Sequence, residues 1–128
     1  LTSTVTHLKK LKPGQTIGYH EQPIPYPMEI AIIPIGYGDG FLPSRLPAYT
    51  DPPTVLIGGQ RAPYYSVLSM DKMAVDVTNL SVQLGDRVVF IGEQNGDVIS
   101  LDELASRLKT TPAQFLASIT GRVVRRFE

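Results

Sequence analysis

A chain of 128 residues suits one domain with a core of its own. Twelve basic and twelve acidic side chains cancel, so no broad field draws nucleic acid or an anionic membrane surface. There is no cysteine, which excludes disulfide staples and thiolate metal sites, and the two histidines, His7 and His20, lack the spacing of a metal pair.

No apolar run approaches the ~20 residues that a membrane helix needs. No signal peptide is visible, and the chain opens on Leu1 instead of methionine, so a piece of a longer protein is expected. Leu1 to Lys10 alternates with a period of two and reads as a strand, ended by Lys12-Pro13-Gly14. Thr16 to Tyr19 reads as a short strand. Pro23, Pro25 and Pro27 then supply no amide donors, which marks an extended connector.

The stretch from Ala31 to Phe41 organises the chain. Ala31 to Ile33 reads as a buried strand that Pro34 interrupts, after which Gly36, Gly38 and Gly40 alternate with Tyr37, Asp39 and Phe41. This loop either presents a phenol and a carboxylate at a strand end or forms a tight turn that Asp39 caps. A proline-rich loop follows, then strands at Thr54–Ile57 and Gln60–Ser69 joined by Gly58-Gly59. Met70-Asp71-Lys72 breaks the pattern before Met73–Val77. Its backbone suits either carboxylate binding beside an adaptable methionine wall, or a bulge in which Asp71 satisfies its own turn. Strands at Arg87–Ile91 and Asp97–Ile99 complete the β portion.

The period then changes. Ser100 to Glu103 and Thr111 to Gln114 are capping boxes that open two short helices, the second with Pro112 at its first position. Leu101, Leu104, Ala105 and Leu108 share one face; Phe115, Leu116 and Ile119 form the apolar side of the second helix. Gly121 ends that helix, and Arg122 to Phe127 reads as a closing strand. The expected fold is mainly β, a small barrel of about eight strands with two short helices near the C-terminus. Arg122, Arg125 and Arg126 are the local basic cluster. No nucleophile elbow, phosphate-binding glycine loop or paired-carboxylate motif is present.

A series of motifs carries a family resemblance over the whole of 1–128. Lys12-Pro-Gly14 leads to Ile17-Gly-Tyr19, then to Ile33-Pro-Ile-Gly-Tyr-Gly-Asp-Gly40 and Val55-Leu-Ile-Gly-Gly-Gln-Arg-Ala-Pro63. Ser69-Met-Asp71, Leu84-Gly-Asp86, Ile99-Ser100 and Arg122-Val-Val-Arg125 follow in order. In order and spacing the chain resembles the C-terminal β domain of alanine racemases.

The resemblance implies an isomerase whose cofactor, pyridoxal phosphate, sits as a Schiff base on a lysine of a separate N-terminal (β/α)8 barrel. It implies a homodimer in which this domain closes over the partner subunit's barrel, and an amino acid as substrate. Tyr19 matches the tyrosine that serves as one of two opposed catalytic bases, supported by a barrel histidine. Tyr37 matches a tyrosine at the pocket wall. Met70 matches the residue whose amide meets the substrate carboxylate, with Asp71 as local support.

The sequence departs from the family at three places. Ala113 stands where a cofactor-phosphate tyrosine is usual, Ser66 and Val67 replace a glycine and an arginine, and Pro43 replaces an arginine for which Arg45 is the nearest substitute. Ala113 opens the alternative of a racemase for serine or a broader set of amino acids. A non-catalytic dimerisation or binding domain is the reading from another class. The family implies a bacterial cytoplasmic setting and D-alanine for peptidoglycan precursors, with no nucleic-acid or membrane partner and no activity for the isolated domain.

Overall fold

Ile30, Ala31, Ile32 and Ile33 follow one another in a strand whose residues are buried on both faces. In the computed structural model, which describes residues 1–18, 23–41, 51–67 and 69–127, this strand lies among nine. They are β1 (Thr2–Thr4), β2 (His7–Leu11), β3 (Met28–Ile33), β4 (Thr54–Ile57) and β5 (Gln60–Val67). The others are β6 (Met73–Asp76), β7 (Arg87–Val89), β8 (Gly92–Gln94) and β9 (Asp97–Ile99), followed by helices α1 (Leu101–Arg107) and α2 (Pro112–Ser118).

Seven strands form one antiparallel sheet in the order β1-β7-β4-β5-β6-β3-β2, and β8-β9 is a separate hairpin. Gly58 and Gly59, both at positive φ (59° and 74°), make the tight turn that their spacing predicts between β4 and β5. The two edge strands of the sheet are neighbours in sequence. Val5 donates to the Asp86 carbonyl (3.0 Å) beside β7, and Thr6 donates to the Ile32 carbonyl (2.9 Å) on β3. The sheet therefore curls into a half-barrel whose edges are stitched at Val5-Thr6. The single strand expected over Leu1–Lys10 is thus two strands with a corner between them.

The alternation of side chains across β3 feeds two cores. Ala31 and Ile33 join the main core with Val55, Ile57 and Val88, while Met28, Ile30 and Ile32 pack with Ile24 and Ala74 on the other face. Phe41 sits in an aromatic cluster, its ring centroid 5.0 Å from Phe90 and 5.6 Å from Phe115, both edge-on. Phe115 docks α2, and Leu104 with Leu108 docks α1. Removing a ring such as Phe41 down to alanine would cost about 3–5 kcal/mol.

Helix α2 carries the full capping box of Thr111 and Gln114, with Pro112 at its start. Ser100 caps α1 by accepting from the Glu103 amide (3.0 Å), but the Glu103 carboxylate turns to Arg61. Leu116, expected on the apolar side of α2, is exposed, and Ile119 already caps that helix ahead of Gly121. No strand forms over residues 122–127. Alternating valine and arginine give β propensity there, but a strand needs a partner edge, and this segment begins in a turn of its own instead, the Val123 amide donating to the Thr120 carbonyl at 3.2 Å.

Candidate functional site

Pro34 ends β3 at the site. The Ile35 amide folds back to the Ile33 carbonyl across it (2.9 Å), and the chain enters a 3-10 turn over Tyr37–Asp39. Asp39 is a buried carboxylate whose Oδ2 accepts from the Gly36 amide at 2.8 Å. The turn cap that the sequence offered as one reading is therefore present, and it directs Tyr37 outward, 48% exposed.

The glycines of this loop admit the protein's own backbone. A Cβ on Gly36 would lie 2.6 Å from Met70 carbonyl atoms, and one on Gly38 would lie 2.6 Å from Met70 Cγ. Gly40, at φ 98°, would drive a side chain into the Ser118 backbone. The loop is thus pressed between residues 69–70 on one side and the end of α2 on the other. The Gly38 amide donates to the Met70 carbonyl at 2.9 Å and fixes the two loops to each other.

Met70 lies in the turn between β5 and β6, closed by the Ser69 amide on the Lys72 carbonyl (3.1 Å), and its side chain is 48% exposed. Among the described residues its amide meets no acceptor. The bulge of this strand pair lies earlier, between Tyr64 and Ser66. The Asp71 amide donates to Ser69 Oγ (3.2 Å), while the Asp71 carboxylate leaves its own turn and pairs with Arg122. The reading in which Asp71 satisfies its own turn is therefore replaced by a long-range ion pair.

Arg122 is the site residue that spacing does not reveal. Its Nη2 bonds Asp71 Oδ1 and its Nε lies 3.4 Å from Asp39 Oδ1, so one guanidinium serves both loops. The Asp71 hydrogen bond, above all, raises its already high pKa and keeps it charged. The signal available beforehand was its place in the local basic cluster. Thr120 anchors the same segment: its amide donates to the Asp39 carbonyl (3.1 Å) and its hydroxyl to the Gly38 carbonyl (2.9 Å). Asp39 and Arg122 also line an open cavity of about 540 Å³ whose other walls include Leu1, Ser3 and Val124.

The structure therefore brings Tyr37, Met70 and Asp71 together. Tyr19, with His20 and Arg45, lies outside the described residues. Ala113 is exposed in the first turn of α2. Ser66 is buried in β5. No group of three His, Asp or Glu side chains suited to a metal occurs among the described residues, and no helix there is long and apolar enough to cross a membrane.

The family model for the alanine racemase C-terminal domain matches residues 1–127. The chain is 36% identical over 126 residues to alanine racemase 1 of Caldanaerobacter subterraneus subsp. tengcongensis, covering 97% of this chain and 31% of that protein. It is 37% identical over 131 residues to the alanine racemase of Anoxybacillus flavithermus, covering 99% and 32%. Among solved structures, the biosynthetic alanine racemase of Pseudomonas aeruginosa superposes with a TM-score of 0.83 at 30% identity, over 99% of this chain and 34% of that one. The Bacillus anthracis alanine racemase with bound L-Ala-P gives 0.80 at 31% identity, over 95% and 30%. The chain spans about a third of the length of these relatives. On its sequence and its fold alike, the chain belongs to the alanine racemase C-terminal domain family.

Proposed function

We propose that this chain acts as the C-terminal domain of a pyridoxal-phosphate-dependent alanine racemase and lends its loops to the cofactor-bearing barrel of a partner subunit in a homodimer. The observation that carries the reading is the locked pair of loops that presents Tyr37 and Met70, each half-exposed, through the Gly38–Met70 hydrogen bond. A racemase takes a proton from one face of the α-carbon and returns one to the other. Pyridoxal phosphate supplies the electron sink for the charge that develops there.

This chain's residues work around that chemistry. Tyr19 holds and moves the proton on one face. A phenol has a pKa near 10, so it serves as a base only beside positive charge, which the barrel supplies. Tyr37 walls the pocket, the Met70 amide receives the substrate carboxylate, and Asp71 supports that turn. At Ala113 the chain offers the cofactor phosphate only an exposed methyl group, which donates no hydrogen bond. Phosphate anchoring therefore rests with the barrel, and this chain's share of the site is on the substrate side.

The decisive variant is Tyr19→Phe in the full-length protein. Racemisation of alanine falls by about 100-fold or more with the bound cofactor's absorbance unchanged. Preserved racemisation overturns the role of Tyr19. The exposed Ala113 favours a second reading, in which serine or other amino acids are accepted. In either case the reaction belongs to D-amino acid supply for peptidoglycan precursors in the bacterial cytoplasm, and the 128-residue chain alone is inactive.

A further inference from the structure

We propose that Arg122 is a positioning residue for substrate binding: it draws the Asp71 carboxylate away from the incoming amino acid and leaves the neighbouring Met70 amide free to receive the substrate's own carboxylate. The inference rests on the reading of Met70 given above and adds to it the group that makes that amide usable.

An exposed carboxylate one residue from an anion-receiving amide is an electrostatic fault. Two like charges at such short range repel, and the repulsion weakens binding of the anionic end of an amino acid. The structure corrects the fault with Arg122, which bonds Asp71 Oδ1 through Nη2 and stands 3.4 Å from Asp39 Oδ1 through Nε. The guanidinium also occupies the space over Gly38 that a side chain would fill.

The correction is built into a closed ring of bonds. Met70 carbonyl accepts from Gly38, Gly38 carbonyl accepts from Thr120, the Arg122 amide reaches Thr120 Oγ1 at 3.4 Å, and the Arg122 side chain returns to Asp71. Asp39, the second carboxylate on the guanidinium, is buried and tied to the Gly36 amide at 2.8 Å, so it holds the head of Arg122 in place. Three segments far apart in sequence thus hold one guanidinium against the Asp71 carboxylate.

The test is steady-state kinetics of the full-length protein with alanine, comparing wild type, Arg122→Ala, Arg122→Lys, Asp71→Asn and the Arg122→Ala/Asp71→Asn pair. Arg122→Ala should raise KM about tenfold with kcat within about threefold and cofactor absorbance unchanged. Lysine keeps the charge but loses the fork, so Arg122→Lys should recover part of that loss. Removing the unmasked charge in the double variant should bring KM back to within about threefold of wild type, and added salt should shrink the Arg122→Ala defect. A purely structural role predicts no such rescue. An unchanged KM in Arg122→Ala, or a double variant no better than Arg122→Ala, overturns the proposal while wild-type racemisation stands. A wild-type protein that does not racemise alanine overturns the reading of the site as well.

Discussion

Arg61 grips Asp97 with two parallel hydrogen bonds, Nε to Oδ2 at 2.8 Å and Nη2 to Oδ1 at 3.0 Å. The same guanidinium reaches Glu103 on α1 and the Val98 carbonyl on β9. One side chain of β5 therefore ties the β8-β9 hairpin and the first helix to the sheet. Asp97, bonded chiefly by Arg61, has its pKa held below the ordinary carboxylate value. A lowered folded-state pKa means the stabilisation is fully present above pH ~4 and is lost as acid carries the solution down through the folded value. Arg61→Ala should lower Tm by a few degrees at neutral pH, and the gap from wild type should close in acid. Thermal melts across pH 3 to 7 check both.

Tyr64 offers the opposite case. Its ring packs against Phe41 and Phe90, and its buried hydroxyl has no hydrogen-bond partner among the described residues. Tyr64→Phe removes an unsatisfied polar group at almost constant shape and should stabilise the fold by about 1 kcal/mol. Burial also raises the phenol's pKa well above its usual value. The fold holds that proton more tightly than the unfolded chain does, so Tyr64 adds alkaline instability as pH climbs beyond ~10. Urea titrations at pH 7 and an alkaline unfolding curve should both favour the phenylalanine variant.

Gly38→Ala places a methyl group into the Arg122 guanidinium first, and then 2.6 Å from Met70 Cγ and 2.9 Å from the Met70 carbonyl oxygen. The two loops must part, so KM for alanine in the full-length protein should rise about tenfold with a loss of stability near 1–2 kcal/mol. Gly40→Ala meets the Ser118 backbone and a left-handed φ of 98° together. Its expected cost is larger, about 3 kcal/mol, and its effect falls on Tm first.

Ala113→Tyr tests the substrate question. If the missing phenol leaves the pocket wider, wild type should racemise serine at a rate within about tenfold of alanine, and Ala113→Tyr should lower serine kcat/KM about tenfold more than alanine kcat/KM. Paired assays with the two substrates decide it. Equal responses to the substitution overturn the role of position 113.

The β architecture was legible because it is a local property. Ile30 to Ile33 is an unbroken apolar run, Gly58-Gly59 demands a tight turn, and Thr111 with Gln114 announces α2. The errors came where a partner decides. Arg122 to Phe127 has strand propensity but pairs with no strand, and Glu103 leaves its own cap because Arg61 is nearby. For the candidate site, spacing offered Tyr37 and the Met70-Asp71 turn only as one of two readings each, and the family resemblance alone gave them roles. Arg122 and Asp71 stand 51 residues apart, and no spacing rule links them. Ions meet across such distances only when the sheet has already curled.

The corner at Val5-Thr6 sets the order in which that happens. Because β1 pairs with residues 87–89, the first turn of chain must wait for the far side of the sheet before it has anything to bond. Such high contact order slows folding, and until the corner closes, the flanks of β3 and β7 stand open to neighbouring molecules. Val5 is also buried in the main core, so Val5→Asp should lower both the native state's Tm and the yield of refolding, by burying an unpaired carboxylate and prolonging a state that aggregates.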